Sequence, residues 1–92
     1  MTLRSSSEAV RLRPGSVEWR KVEGEVVAVD LRTSEYLAIN RTGAALWRDL
    51  AAGATPAALA ERLVDDFEVE PGVAGRDVTE FLAFLEQRGL LE

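Results

Sequence analysis

The sequence contains no cysteine and no histidine. Without cysteine the chain can form neither disulfides nor thiolates, and without either residue the usual pairings of a nucleophile with a base are absent. Neither a G-x-G-x-x-G loop nor a Walker pattern is present, so no glycine-rich loop is available to cradle a phosphate. These absences argue against an enzyme, and we expect no catalytic residues, no metal and no cofactor.

Long apolar runs are also missing. The first fifteen residues hold no apolar stretch of signal-peptide length, and no segment approaches the ~20 apolar residues of a membrane span. We therefore expect a cytoplasmic protein with no membrane partner. The chain has 92 residues, of which 47% are hydrophobic, and this length predicts a single folded domain.

Positive charge is scarce after residue 21. Residues 1–21 carry five basic side chains and two acidic ones, whereas the remainder carries six arginines and fourteen acids. Nucleic-acid affinity comes largely from neutralising phosphates, so this balance disfavours DNA or RNA as a partner.

The acidic side chains form no recognisable site. Residues 65–70 are the densest run but lack the alternating ligands and central glycine of a calcium loop, so we interpret them as a solvated helix end. Asp77 and Glu80 lie three apart and could mimic a catalytic carboxylate pair. In the absence of a cleft or a histidine, we expect them to form an exposed polar edge.

Alternating residues predict a three-stranded meander over residues 17–39. In the first strand Val17, Trp19 and Lys21 share one face, and Glu23-Gly24 is typical of a hairpin turn. The β-branched run at 26–29 predicts a strand buried on both faces, and the third strand is predicted at 36–39 after a turn at 32–34. Residues 1–16 are expected to be flexible or loosely packed, either as an edge strand or lying over the core, and residues 17–92 form the domain.

Three helices are predicted to follow. Asn40 can cap a first helix over residues 41–52 that ends at Gly53, and Thr55-Pro56 is a strong start signal for the second. The third is predicted from about residue 73 to 88, with Gly89 taking the left-handed conformation after its end.

The third strand is the feature of greatest functional interest. After Glu35 it has four residues without charge, although natural sheet edges are usually protected by charge or proline. Either the N-terminal segment or a helix covers this edge, or the edge is open to a peptide. Phe84 poses a related choice: it either closes over Trp19 or Tyr36 in the core, or it offers a second contact beside the edge.

Residues 36–47 contain an aromatic, an apolar residue and an asparagine, followed by a glycine-containing helix start and an apolar–tryptophan pair. This pattern resembles that of the PqqD-like family. Residues 77–85, followed by Gly89-Leu90-Leu91, are similar to the family's final helix and its Gly-Leu-Leu ending. The resemblance covers about residues 10–91.

This resemblance implies an α+β, winged-helix-like fold with a three-stranded antiparallel sheet followed by three helices. Family members are recognition elements for ribosomally synthesised, post-translationally modified peptides, and they bind the precursor's leader segment as an extra strand. A free-standing domain of this length looks most like the recognition protein of lasso-peptide pathways, whose partners are a leader peptidase and an ATP-dependent cyclase. A chaperone for the precursor of the quinone cofactor PQQ is the alternative.

Carried onto this chain, the resemblance implies strand contacts and helix contacts. The expected peptide-binding residues are Glu35, Tyr36, Leu37, Ala38 and Ile39 on the strand, and Asp77, Phe81 and Phe84 on the helix, with Arg76 and Glu80 nearer the rim. Ile39, Trp47, Leu82 and Leu85 are expected in the core. Replacing Leu37 by arginine or Phe84 by alanine is expected to weaken peptide binding in a folded domain.

Two other classes of function remain open from the residues alone. One is a winged-helix DNA binder, although residues 41–92 carry five arginines against ten acids. The other is a module that self-associates by pairing the open edge with its own copy.

Overall fold

A computed structural model describes residues 8–92. Within them three strands precede three helices, as predicted: β1 Val17–Val22, β2 Glu25–Asp30, β3 Tyr36–Ile39, α1 Arg41–Ala52, α2 Pro56–Phe67 and α3 Pro71–Gln87. The strands form one antiparallel sheet in the order β1-β2-β3, so the predicted α+β fold class is confirmed. The meander leaves β1 and β3 at the two edges.

The helices cover only one face of the sheet. Val26 and Ala28 of β2 are buried against the helices, whereas Val27 between them is 39% exposed. The prediction that β2 is buried on both faces is therefore wrong, because no element in residues 8–92 packs on the outer face. The same alternation runs through β3, whose Leu37 and Ile39 point inward.

Side-chain caps determine where α1 and α2 begin. The backbone N–H of Gly43 donates to Asn40 Oδ1 (3.0 Å), and that of Ala58 donates to Thr55 Oγ1 (3.1 Å), which satisfies donors that the first helical turn leaves free. Both starts agree with the prediction. The third helix begins at Pro71 and not near residue 73, because proline lacks an N–H and suits the first helical position.

A bidentate ion pair ties α1 to α2. Arg62 Nε donates to Asp49 Oδ2 (2.8 Å) and Arg62 Nη2 donates to Asp49 Oδ1 (3.1 Å). These hydrogen bonds, with the attraction between the two charges, raise the pKa of the Arg62 guanidinium above its ordinary value. The pair is a surface link between the two helices, since the Arg62 side chain is 46% exposed.

The N-terminal segment, where the structure describes it, lies over the core. Val10 forms a β-bridge with Ala54 in the α1–α2 connection, and Leu12 forms one with Leu91. The side chains of Val10 and Leu12 are both buried. The segment therefore closes the end of the core formed by α1 and the C-terminal residues, and it forms no strand of the sheet. The part of the predicted loose segment at residues 1–7 lies outside the described residues.

Three aromatic rings link the sheet to α3 through the core. Trp47 of α1 is fully buried; its ring centroid lies 6.2 Å from that of Trp19 in β1 and 6.4 Å from that of Phe81 in α3. Edge-to-face and tilted contacts at such distances are favourable for aromatic pairs. This chain of rings connects β1 to α3 through α1.

Candidate functional site

The outer edge of β3 is open in the part of the chain that the structure describes. β3 pairs with β2 on one side and with no strand of residues 8–92 on the other. Asp30 N–H donates to Glu35 C=O (2.8 Å), which places the Glu35 carbonyl on the β2 side. Backbone groups alternate along an antiparallel strand, so the N–H and C=O of Tyr36 and Ala38 point to the open edge.

α3 runs alongside this edge and is held to both of its ends. At the start of β3, Arg88 Nη1 lies 3.6 Å from Glu35 Oε1, and Arg32 Nη2 donates to the Arg88 carbonyl (2.6 Å). At the end of β3, the side chains of Ile39 and Phe81 both lie close to Gly43: a Cβ atom there would be 2.7 Å from Ile39 Cγ2 and 3.0 Å from Phe81 Cε1. We call the space between the β3 edge and residues 77–88, which comprise the C-terminal part of α3 and its C-cap Arg88, the β3–α3 groove.

Phe84 lies on the surface and not inside the core. Its side chain is 38% exposed, and the guanidinium carbon of Arg88 stands 5.0 Å from the ring centroid, a cation–π arrangement. The structure therefore decides the choice that the sequence left open, in favour of a ring that is accessible beside the sheet edge. An apolar ring in this position can contact the side chain of a peptide lying along β3.

A cavity of about 260 Å³ opens at the end of the groove where β3 ends. We call it the α1–α3 cavity; it is lined by Asn40, Thr42, Gly43, Leu46, Leu63, Asp77, Glu80 and Phe81. The expectation that no cleft lies beside Asp77 and Glu80 is therefore wrong, because both residues line this cavity; Glu80 is nevertheless exposed, as expected. Sequence reasoning missed Asn40, Thr42 and Gly43 as site residues, although the capping position directly after β3 marks them.

The predicted strand residues divide between the two faces of the sheet. Leu37 is only 5% exposed and Ile39 is also buried, whereas Ala38 is exposed and Tyr36 is 78% exposed on the outer face. The side chains of Leu37 and Ile39 face the core and their N–H and C=O groups face β2, so neither residue offers a polar group to a peptide on the open edge. The expectation that Leu37→Arg leaves the domain folded is wrong, because the substitution would bury a charge in the core.

The predicted helix residues are partly brought together. Asp77, Glu80 and Phe81 meet at the α1–α3 cavity, and Phe84 lies farther along the groove beside Arg88. Arg76 is exposed and does not line the cavity.

Other charged residues do not converge on a site. The four acids of the run at 65–70, which are Asp65, Asp66, Glu68 and Glu70, are exposed, as predicted for a solvated helix end. Residues 8–92 contain no group of three or more acidic side chains placed to hold a metal ion. None of the helices that the structure describes is long and apolar enough to cross a membrane.

Solved structures with this fold include peptide complexes. The chain is similar to "TbiB1 in Complex with the TbiA(beta) Leader Peptide", with 26% identity and a TM-score of 0.80 over 89% of this chain and 94% of that one. It is also similar to "Lasso peptide synthetase B1 complexed with the leader peptide", with 31% identity and a TM-score of 0.77 over 90% and 96% of the two chains.

A third structure is the solution structure of a PqqD truncation of PqqCD from Methylobacterium extorquens, described as a recognition element for ribosomally synthesised and post-translationally modified peptides. Its identity is 24% and its TM-score 0.77 over 99% of this chain and 96% of that one, which supports the shared fold alone. No curated protein matches the chain. The family model of coenzyme PQQ synthesis protein D matches residues 25–91, and the chain therefore belongs to the PqqD family.

Proposed function

We propose that this domain binds the leader segment of a ribosomally synthesised precursor peptide as a fourth strand on the open edge of β3. The observation that carries the proposal is the free edge of β3 flanked by the exposed ring of Phe84 on α3. Two similar structures hold leader peptides, which supports the same role here. The peptide-binding residues would be those of β3 with Glu35, together with Asp77, Glu80, Phe81 and Phe84; Arg76 would lie at the rim.

The domain acts as an adaptor in this proposal and performs no chemistry itself. It presents the precursor to a leader peptidase and an ATP-dependent cyclase of the same pathway, in the cytoplasm where the precursor is made. The lasso-peptide branch is favoured over the PQQ branch, because both leader-bound structures exceed 25% identity and one of them is a lasso peptide synthetase B1.

Backbone hydrogen bonds and apolar contacts would both contribute to leader binding. Tyr36 and Ala38 offer both backbone groups to the leader, and each hydrogen bond contributes about 0.5–1.5 kcal/mol net. Two or three apolar side chains against Phe81 and Phe84 would add about 1.5–3 kcal/mol each. An association cost on the order of 4–15 kcal/mol opposes these gains, so the preformed groove matters for the affinity.

The substitution Ala38→Pro tests strand addition directly. The Ala38 N–H faces the open edge, so proline removes a donor from the incoming strand without breaking the β2–β3 ladder. In fluorescence anisotropy with labelled leaders of candidate precursors, we expect Ala38→Pro to weaken binding about tenfold or more. Ala38→Val, which keeps the N–H, is the matched control and should bind like the unaltered protein.

Thermal unfolding followed by circular dichroism establishes that both variants are folded. Phe84→Ala, at an exposed position, should also weaken binding in a folded domain. Equal leader affinity for Ala38→Pro and Ala38→Val would show that the peptide does not pair with β3. No binding of any leader by the folded unaltered domain would remove the adaptor role, and self-association through the edge would become the leading hypothesis.

A further inference from the structure

The α1–α3 cavity combines apolar walls with two carboxylates. The half-buried ring of Phe81 and the small accessible parts of the buried Leu46 and Leu63 supply the apolar surface, while Asp77 and Glu80 lie one helical turn apart on the same side of α3. Neither carboxylate has an ion-pair or hydrogen-bond partner in residues 8–92. Such a lining suits a side chain that is apolar along its stem and positively charged at its head.

The cavity depends on the missing side chain of Gly43. A Cβ atom at this position would lie 2.7 Å from Ile39 Cγ2 and 3.0 Å from Phe81 Cε1, so a larger residue would displace the Phe81 ring. Gly43 and Asn40 both line the cavity, and Asn40 directly follows the last residue of β3. A peptide strand paired along β3 therefore reaches the mouth of the cavity as it passes the end of the strand.

The opposite end of the groove carries positive charge. There Arg88 stacks on Phe84, and Arg32 donates to the Arg88 carbonyl. A second cavity of about 310 Å³ beyond that end is lined by Arg13 and Arg32. Glu35 is the acidic residue at this end, and it is already paired with Arg88. The unpaired negative charge of the groove is thus concentrated at the α1–α3 cavity.

We propose, building on the proposed function, that the α1–α3 cavity receives a lysine or arginine side chain of the leader peptide. The aliphatic stem packs against Phe81 and Leu46, and the charged head lies between Asp77 and Glu80. The ring of Phe81 adds a favourable face for the cation. Because only one end of the groove accepts a cation, this contact sets the register of the leader on β3.

The test pairs changes in the peptide with changes in the domain. In each labelled leader that binds, every lysine or arginine is replaced in turn by norleucine, which keeps an apolar stem and removes the charge. We expect one position to weaken binding about tenfold and the others to have little effect. The double variant Asp77→Asn/Glu80→Gln should lose about the same factor and become insensitive to norleucine at that position.

Asp65→Asn/Asp66→Asn is the matched control, because it also removes two negative charges, but from the exposed end of α2. We expect it to bind the leader like the unaltered protein. A glutamate at the sensitive leader position, combined with Asp77→Lys, should recover part of the lost affinity.

Several outcomes would overturn this inference while leaving leader binding intact. One is a leader that binds the Asp77→Asn/Glu80→Gln variant as tightly as the unaltered domain. Another is sensitivity to an aromatic leader residue but to no cationic one, which would assign the cavity to a ring. A third is an equal loss in the α2 control, which would reduce the effect to net charge. Failure of all leaders to bind the unaltered domain would instead remove the proposed function itself.

Discussion

Gly43 lies where side chains of β3 and α3 come close to the start of α1. The Ile39 and Phe81 side chains occupy the space that a Cβ atom would need, and the N–H of Gly43 is bonded to the Asn40 cap. A glycine near a helix start ordinarily costs stability relative to alanine. Here alanine is the worse residue, because its Cβ atom would collide with the side chains of Ile39 and Phe81.

Gly43→Ala is therefore expected to destabilise the domain despite the higher helix propensity of alanine. Overpacking costs about 1–3 kcal/mol and the propensity gain returns at most about 1 kcal/mol, so we expect a net loss of about 1–2 kcal/mol in the free energy of unfolding. Urea denaturation measures it. Gly75→Ala, in α3 with open space around its Cβ position, is the control and should be neutral or stabilising. Equal stability changes for the two variants would contradict this account.

The sequence predicts most element boundaries because local capping chemistry determines them. Asn40 and Thr55 accept hydrogen bonds from the first turns of α1 and α2, and Gly89 adopts a positive φ of 72° after α3. The position of Phe84 could not be predicted in this way. Helical spacing gives the side of α3 on which its ring lies, but the distance between α3 and β3 depends on packing through Trp47.

The α1–α3 cavity likewise could not be predicted from the sequence. Asp77 and Glu80 are separated from Asn40 by more than thirty residues, and only the packing of α1 against α2 and α3 brings them to one wall. The error over β2 has a similar origin, since a run of β-branched residues does not show whether one or both faces are covered.

The two helix caps allow a comparison between stability and binding. Asn40→Ala and Thr55→Ala each remove one capping hydrogen bond, and each should lower the free energy of unfolding by about 1 kcal/mol. Only Asn40 lies beside the groove, so leader affinity should fall for Asn40→Ala and stay unchanged for Thr55→Ala. Thermal unfolding and anisotropy on the same samples separate the two effects; a matched loss of affinity in both would indicate that stability alone controls binding.

The charge of residues 22–92 disfavours nucleic acid as a partner despite the winged-helix-like arrangement. Residues 22–92 carry fourteen acids and six arginines, and Asp49 already engages Arg62 in a bidentate pair. Duplex DNA binding requires several cations on one surface to displace counterions. The charge of residues 22–92 therefore argues against a nucleic-acid partner.

We accordingly expect no DNA binding that depends steeply on salt. The fluorescence anisotropy of a labelled DNA duplex should not change when the domain is added to micromolar concentration in about 50 mM salt. The anisotropy of a labelled leader should reach saturation under the same conditions. Saturable duplex binding at low salt that disappears near 200 mM would contradict the charge argument and favour the DNA-binding alternative.

The open edge of β3 also bears on how the protein behaves before it meets a leader. Unpaired backbone groups can pair with other strands whatever their sequence, so the open edge of the unliganded domain is a possible aggregation site. β3 spans only four residues, which keeps such encounters brief and reversible. A bound leader covers this edge. At a free leader concentration of about a hundred times its Kd, binding adds about 2.7 kcal/mol to the free energy of unfolding. The leader would thus protect the domain from both aggregation and thermal unfolding.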